Sequence, residues 1–331
     1  MNRYSIVQVA KITILLLPLC MMACLSCTPT GNVDSCGQND TLNSRNVDDT
    51  TSLTILFTGD VLLDRGVAPF LEHKGIDYIF EEVSPMFQRA DDVVINLECP
   101  LTDIEAPVNK KYIFRANPKW AKQLRRLGVT HVAMANNHTN DQGRDGLKDT
   151  YEHIVDAGIV PLGYGMNMDE RMSPCIIEKG KMKVALFNAV MFPLENWFQL
   201  DDRPDVCIPS SDILIETVRN YREEHPENFV VMVFHWGLEF KEQPTIMQRH
   251  IAHELADIGV NAIVGHHPHI LQPIEQIDNT MVFYSLGNFV FDQHPPIANK
   301  TMIVELAFNA DGTMKSDTTN IQIRQCKPCV I

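Results

Sequence analysis

Six short apolar runs, rich in β-branched and aromatic residues, are each followed at once by an acidic, amide or imidazole side chain. Helix-like stretches lie between these runs, and strand alternating with helix predicts an α/β fold. The runs are almost continuously apolar, which indicates strands buried on both faces. Hairpins expected around 178–182 and after residue 271 would add antiparallel strands. We therefore predict one domain, 53–331, with two sheets; its helix-like stretches are 76–89, 118–127, 143–157, 212–224 and 245–258.

The polar residues at the ends of these runs form a candidate metal site. In open α/β sheets, ligands bind beyond the carboxyl ends of the strands, so strand-end side chains converge there. Carboxylate together with imidazole suits zinc, manganese or iron, and six such groups exceed what one catalytic zinc needs. A pair of ions is the natural use of them, with a single ion as the alternative. The predicted ligands are Asp60, Glu98, Asn137, His235, His267 and His269.

Each strand-end residue also has a purely structural interpretation. Asp60 could cap a turn or a helix, Glu98 could pair with a cation, and His235 could be a satisfied buried histidine. The His-Pro-His pair in "GHHPH" is harder to explain in this way, because two imidazoles at i and i+2 after a strand have little use in packing. The preceding histidine, His266, is expected to support the ligands rather than to bind metal.

The N-terminus carries a targeting pattern. Two basic residues precede an apolar run that is shorter than the ~20 residues of a membrane-spanning helix, as is typical of a secretory signal. "MMAC" places a small residue before Cys24, so 1–27 is predicted to be a lipoprotein-type signal peptide with Cys24 lipidated. Lipidation of Cys27, or a plain signal peptide, is the alternative. Residues 28–52 are almost wholly polar and predict a disordered tether. We expect an exported protein anchored by lipid to a membrane of the cell envelope.

The charge balance argues against one class of partner. The chain has 28 Lys and Arg residues against 42 Asp and Glu residues, a formal net charge of −14. Nucleic acid is held largely through phosphate contacts, for which this chain has no basic excess, so no nucleic-acid partner is expected. The C-terminal "CKPC" is a single C-x-x-C pair, which predicts a terminal disulfide or two free thiols rather than a zinc site.

Seven motifs occur in an order that resembles a known family. They are "FTGDVLLDRG", "INLECPLTD", "YIFRANP", "MANNHTNDQG", "FHWGLEF", "GHHPHILQP" and "YSLGNFVFDQ". In this order they resemble the bacterial capsule-synthesis proteins of the CapA or poly-γ-glutamate biosynthesis family, from about residue 54 to 292. That family is similar to the calcineurin-like metallophosphoesterases. The resemblance therefore implies an α/β/β/α sandwich, in which two sheets are flanked by helices.

The resemblance also implies roles for single residues. A Gly-Asn-His motif in those enzymes supplies a ligand Asn and a catalytic His, which correspond here to Asn137 and His138. His138 would then protonate a leaving group or stabilise developing charge rather than bind metal. Arg115 is a candidate for gripping a substrate carboxylate or phosphate with its planar fork, and an ordinary surface arginine is the alternative. Asn288 and Asp292 are further candidates for lining the pocket.

Two departures from the family pattern bear on activity. Those enzymes begin with Asp-x-His, whereas Leu62 occupies the third position here, so one ion lacks a histidine unless Asp64 replaces it. Glu98 stands where a bridging aspartate is usual. The first hypothesis is an envelope-anchored metal-dependent hydrolase of phosphoester or amide bonds, acting in synthesis, export or processing of capsule or poly-γ-glutamate. The second is a non-catalytic assembly or anchoring factor with the same fold. Either would meet an anionic polymer or small-molecule substrate, and a membrane polymer-synthesis complex.

Overall fold

The computed structural model describes residues 52–293 and 295–331. The predicted signal peptide, with its lipidated Cys24 or Cys27, and the tether that precedes Ser52 lie outside the described residues. Ser52, the last residue of the predicted tether, is the first residue of a strand.

The described residues form sixteen β-strands, and the apolar runs of the sequence contribute the long central ones. Branched and aromatic side chains dominate these runs because they pack well on a pleated, buried surface. In chain order the strands are β1 (Ser52–Val61), β2 (Asp92–Leu97), β3 (His131–Ala133), β4 (Val160–Leu162), β5 (Tyr164–Gly165), β6 (Cys175–Lys179), β7 (Met182–Val190), β8 (Asp205–Val206), β9 (Phe229–His235), β10 (Ala262–His266), β11 (Ile274–Ile277), β12 (Thr280–Phe283), β13 (Asn288–Val290), β14 (Lys300–Asn309), β15 (Met314–Arg324) and β16 (Lys327–Val330).

Each predicted stretch contains a helix, and two further short helices, Ala68–Lys74 and Met168–Met172, lie outside those stretches. The stretch 76–89 forms two short helices instead of one, because Pro85 cannot supply the amide hydrogen that a continuous helix would need. Within the described ranges, no helix is both long and apolar enough to cross a membrane. In chain order the helices are α1 (Ala68–Lys74), α2 (Ile76–Phe80), α3 (Ser84–Phe87), α4 (Lys119–Leu127), α5 (Gly143–Asp156), α6 (Met168–Met172), α7 (Ser211–Glu224) and α8 (Ile246–Asp257), with a 3-10 helix at Pro296–Asn299.

Two large sheets contain most of the strands. The first has the order β16-β15-β14-β1-β2-β3-β4, with β13 paired to β1, and its strands β1 to β4 are parallel. The second has the order β11-β12-β10-β9-β7-β6, and β7, β9, β10 and β12 are parallel. Antiparallel hairpins lie at the edges where the sequence predicts them, as in β6–β7 and β14–β15. Cys326 and Cys329, beside the β15–β16 turn, are free thiols, the second of the two states expected for "CKPC".

The two sheets pack face to face, and helices cover their outer faces. One apolar cluster lies between the sheets and joins Phe57 of β1 to Val231 of β9. A second cluster joins the outward side chains of the strands, such as Ile95, to helical residues such as Leu124 of α4 and Ile251 of α8. This arrangement confirms the predicted α/β/β/α fold with two sheets.

His266 connects the two sheets near the carboxyl ends of their parallel strands. It ends β10, and its Nε2 lies 2.9 Å from the carbonyl oxygen of Thr58 in β1. Its Nδ1 lies 3.3 Å from the carbonyl oxygen of Phe234 in β9. Both ring nitrogens therefore face main-chain oxygens, and the polar residues at the ends of β1 and β9 are held near each other.

Candidate metal centre

Close packing at the end of β1 fixes the position of Asp60. A Cβ atom on the preceding Gly59 would lie 2.1 Å from the carbonyl oxygen of Gly287, so this approach requires glycine. The Asp60 amide donates a hydrogen bond to the same carbonyl oxygen at 2.9 Å. The result is a strand-end carboxylate that is fully buried.

Asn96 links the two carboxylates of the first sheet. Asn96 and Glu98 are two residues apart at the end of β2, and the two-residue period of a strand places both on one face. Asn96 Nδ2 lies 2.8 Å from Asp60 Oδ1 and 3.4 Å from Glu98 Oε2. It also lies 3.4 Å from His235 Nδ1, so this one amide contacts residues of both sheets.

His235, at the end of β9, lies between an amide of the first sheet and a second imidazole. Its Nε2 is 2.7 Å from Oδ1 of Asn137, which follows β3. The same nitrogen is 3.2 Å from Nδ1 of His267. These contacts bring three of the predicted ligands together.

His269 completes the cluster by contacting both carboxylates. Its Nδ1 lies 3.3 Å from Asp60 Oδ2, and its Nε2 lies 3.7 Å from Glu98 Oε1. Oδ1 of Asn288 accepts a hydrogen bond from His269 Nδ1 at 2.9 Å. His267 and His269 have φ angles of 96° and 59°, in the left-handed region that residues other than glycine rarely occupy. The turn thus carries strain of about 1–3 kcal/mol per residue, of a kind that concentrates at functional sites.

The two buried carboxylates differ in their affinity for protons. Burial raises the pKa of Glu98 well above its usual range, and the negative charge of Asp60 raises it further. Burial also opposes ionisation of Asp60, but the contact with His269 and the electrostatic attraction between that ring and the carboxylate lower the pKa of Asp60 below its ordinary value. Asp60 is therefore firmly ionised, whereas ionised Glu98 requires an additional positive charge nearby.

Burial keeps the facing imidazoles neutral. It lowers the pKa of His267 to about 3 and the pKa of His235 well below its usual value. The charges of neighbouring imidazoles lower both further. Neutral imidazole is the form that binds a metal ion.

The donor set fits a divalent cation. One ligand atom each from Asp60, Glu98 and His235 lie within 4.8 Å of one another. Asp60 Oδ2 and Glu98 Oε1 are buried and accept no hydrogen bond from the described residues. The Nδ1 proton of His269, although near Asp60, is directed at Asn288. Leaving a buried carboxylate oxygen without a partner is costly, and a cation would satisfy both oxygens. The structure brings the six predicted ligands into one cluster, and their binding of metal stays a prediction.

A separate set of contacts fixes His138 beside this cluster. Asp141 Oδ2 accepts hydrogen bonds from His138 Nδ1 and from the Phe114 amide, both at 2.8 Å. The rings of His138 and Phe114 are stacked, with centroids 4.1 Å apart. The buried Lys110 ammonium contacts Asp141 and the Asn137 carbonyl oxygen. Burial lowers the pKa of His138, so its ring is neutral. Because Nδ1 contacts Asp141, Nε2 is the ring nitrogen that can accept a proton.

A cavity of about 230 Å³ is lined by His138 and His269. Arg65 lines this cavity, whereas the predicted Arg115 lines a neighbouring one. Asp64, considered as a replacement for the missing histidine, also lines the neighbouring cavity, and its Oδ2 accepts a hydrogen bond from the Arg115 amide at 2.7 Å. The structure therefore places Arg115 and Asp64 apart from the cavity next to His138.

Sequence reasoning missed four polar residues of this region. Asn96 had a usable signal, since it precedes Glu98 by one strand period and must share its face. Asp141 follows His138 by three residues, a spacing that allows side-chain contact in a turn. Arg65 and Lys110 lie in irregular segments and have no periodic signal.

The fold and this cluster define an α/β protein whose two packed sheets form a candidate metal centre at their strand ends. The model of the family described as "Bacterial capsule synthesis protein PGA_cap" matches residues 54–293. The chain belongs to this family, which confirms the resemblance carried by its motifs.

Two CapA proteins of Bacillus are similar to this chain. PGA biosynthesis protein CapA of Bacillus subtilis (strain 168) is 30% identical over 282 residues, which cover 84% of this chain and 74% of that protein. Capsule biosynthesis protein CapA of Bacillus anthracis is 29% identical over 283 residues, covering 83% and 69%. Among solved structures, the 5'-nucleotidase precursor from Thermus thermophilus aligns with a TM-score of 0.43 and 14% identity, over 81% of this chain and 54% of that one. This chain spans about half of that structure, and a likeness at this level assigns no activity.

Proposed function

We propose that the protein is a metal-dependent hydrolase of the cell envelope that cleaves a phosphoester or amide bond in the synthesis, export or processing of capsule or poly-γ-glutamate. The observation that carries this proposal is the pair of buried oxygens, Asp60 Oδ2 and Glu98 Oε1, that accept no hydrogen bond from the described residues and lie beside the imidazole of His269. The names of the two CapA relatives support the polymer context.

The proposed cofactors are two divalent transition-metal ions, or one, of manganese, zinc or iron. When bound, such ions would polarise a phosphoryl or carbonyl oxygen of the substrate and offset the charge that develops there. The first sheet supplies oxygen ligands and the second supplies nitrogen ligands. The residues that would hold them are Asp60, Glu98, Asn137, His235, His267 and His269.

His138 is the proposed proton carrier. Asp141 holds its Nδ1 proton, so the neutral ring accepts a proton at Nε2 from an attacking water and returns it to the leaving group. Lys110 neutralises much of the charge of Asp141, and the Phe114 ring prevents rotation of the imidazole. This chemistry serves a phosphoester and an amide equally well.

A non-catalytic assembly or anchoring factor is the second candidate. In its favour, Leu62 replaces the histidine of the family pattern and is fully buried, and Asp64 lines the neighbouring cavity instead. Against it, a purely structural metal site has no use for a histidine oriented by Asp141 and Lys110. The hydrolase therefore explains more of the described contacts.

The test combines metal analysis of the full chain with a turnover screen on phosphoesters and γ-glutamyl peptides. We expect His138→Ala to keep its metal and to lose about 10²–10⁴-fold of turnover, as for removal of a general acid–base group. His267→Ala should lose both metal and turnover, and His253→Ala, on the exposed face of α8, should change neither. Bound metal without turnover on either substrate class would favour the assembly factor. Equal metal loss in the His138 and His267 variants would refute the role of His138 as a non-ligand.

We also propose that the protein is exported, held by lipid on Cys24, and associated with a membrane complex that makes or exports the polymer. The pattern before Cys24 in the sequence supports this anchor. Cys24→Ala should move the protein out of the membrane fraction, while Cys27→Ala should leave it there. The opposite result would identify Cys27 as the lipidated residue.

A further inference from the structure

We propose that Arg65 is the anion-binding residue of the cavity beside the candidate metal centre, and that it receives a carboxylate group of the substrate. This rests on the proposed function for the identity of the site. It goes beyond that function, because it names the substrate group that the site recognises and the residue that binds it.

Arg65 reaches the cavity from the loop that follows β1. It is five residues after Asp60 and adopts a φ angle of 49°, in the left-handed region that is unfavourable for arginine. Its side chain lines the cavity of about 230 Å³ together with His138 and His269. Among the described residues that line this cavity, Arg65 is the only lysine or arginine. An unfavourable backbone conformation that places the only guanidinium among the described lining residues in this cavity is consistent with function.

The guanidinium of Arg65 is held in a fixed orientation. Its Nε lies 3.1 Å from Asp292 Oδ1, and its Nη2 contacts the same oxygen. The guanidinium carbon lies 4.9 Å from the ring centroid of Phe114 and 5.4 Å from that of Phe291. An ion pair along one edge, together with two aromatic rings, restricts both tilt and rotation of the planar group.

The same two rings relate Arg65 to the histidines of the site. Phe114 stacks on His138 at 4.1 Å between centroids, and the Phe291 ring lies 5.0 Å from the ring of His269. A group bound to Arg65 would therefore lie in the cavity that the proposed proton carrier also lines. Binding energy gained at a group remote from the reacting bond can position the substrate for reaction.

Arg65 keeps hydrogen-bonding capacity for a ligand. A guanidinium has five N–H donors in a fork that matches a carboxylate. Asp292 occupies the edge formed by Nε and Nη2, and its second oxygen accepts the Gly66 amide at 2.8 Å instead. The Arg65 side chain is 31% exposed. The donors that point away from Asp292 are therefore available to a ligand. Glu239 also lines the cavity, and its negative charge would disfavour an anion that makes no hydrogen bond to Arg65.

Arg115 provides a matched control. Its side chain is 37% exposed, close to the value for Arg65, and its Nη2 lies 3.4 Å from Glu105. It lines the neighbouring cavity with Asp64 rather than the cavity beside His138. Replacing either arginine removes the same charge, so a difference between the two variants reports position and not net charge.

The experiment measures binding by calorimetry on the full chain, with a γ-glutamyl oligomer as the carboxylate probe and phenyl phosphate as the phosphate probe. We expect Arg65→Ala to weaken oligomer binding by about tenfold or more, the usual effect of losing a charge-assisted hydrogen bond. Arg65→Lys should weaken it by a smaller factor, because the charge remains and the fork is lost. Arg115→Ala should stay within about twofold of the unmodified chain, as expected where no contact is lost.

Binding and metal content are read separately from turnover, so failure of the proposed hydrolysis does not decide this test. Thermal unfolding checks that each variant is folded. If Arg65→Ala does not fold, Arg65→Lys is used for the binding test. Oligomer binding that is unchanged in the Arg65 variants, or equally weakened in Arg115→Ala, would overturn the assignment. An unmodified chain that binds no oligomer would overturn it as well. An effect confined to phenyl phosphate would replace the carboxylate with a phosphate.

Discussion

The eight-stranded sheet supplies carboxylate and amide oxygens to the candidate metal centre, whereas the six-stranded sheet supplies imidazole nitrogens. Neither set of side chains has its charges balanced by groups of its own sheet. On the first sheet, Asp60 and Glu98 repel each other, and the pKa of Glu98 is raised. On the second, burial prevents His235 and His267 from taking up protons that could neutralise those carboxylates. Among the described histidines, only His269 contacts both carboxylates.

Under the proposed function, a cation would belong to the packed pair of sheets and not to either sheet alone. A metal ion would supply the positive charge that the neutral imidazoles withhold, and would bind only when both sheets are in place. Metal binding is then coupled to folding, because the unfolded chain has no such site.

The largest effect is expected from removing one ligand from either sheet. Asp60→Ala and His235→Ala should each weaken metal binding by about 1,000-fold, more than the 10–100-fold typical of residues that only support ligands. Isothermal titration with Mn²⁺ or Zn²⁺ measures this directly. Asp92→Ala is the control, since Asp92 lies at the opposite end of β2 from Glu98. Normal affinity in either ligand variant would show that one sheet holds the metal alone.

The second prediction concerns two buried imidazoles, each of which should change the free energy of unfolding by about 3 kcal/mol as the pH falls. The pKa of His267 is about 3 and that of buried His131, in β3, is about 4, both below the 6.5 of an exposed histidine. The unfolded chain therefore takes up more protons as the pH falls below 6.5, and the folded protein loses stability in that direction. Without metal, each of His267→Gln and His131→Gln should remove about 3 kcal/mol of this loss between pH 6.5 and 4. Urea unfolding in the presence of a chelator, at pH values from 6.5 to 4, measures this free energy.

His131 makes this test informative, because it belongs to the first sheet and lies outside the predicted ligand set. Burial is the largest cause of the pKa shift of both residues. Equal effects would show that burial alone keeps the site imidazoles neutral. A much smaller effect for His267→Gln would mean that water enters the metal-free site, and that the neutral imidazoles depend on the cation.

The strand ends were predictable because their signal is local. An apolar run followed by a polar side chain identifies both a strand and the edge to which it points, and this placed Asp60, His235 and His269 together. The long helices were predictable for the same reason. Where a local rule was overlooked, as with Pro85 in the stretch 76–89, the prediction failed.

The loops were not predictable, because distant residues determine their conformation. Arg65 and Arg115 are both arginines in irregular segments, and the sequence favoured Arg115. Arg65 points into the cavity because Asp292, 227 residues later in the chain, pairs with it. No short-range pattern records such a contact. The orientation of His138 by Lys110 depends likewise on a loop that precedes it by 28 residues.

The last prediction distinguishes the two carboxylates of the first sheet by the sign of the change in the free energy of unfolding. The pKa of Glu98 is raised, so the metal-free protein loses stability as the pH rises above 4.5, and Glu98→Gln should remove that loss and stabilise it at pH 7. The pKa of Asp60 is lowered, so its ionised form stabilises the fold above pH 3.8, and Asp60→Asn should be destabilising. Thermal unfolding in a chelator measures both variants, with the exposed Glu242→Gln as the control. Shifts of the same sign would mean that His269 does not discriminate between the two carboxylates, and the cation would then have to satisfy both equally.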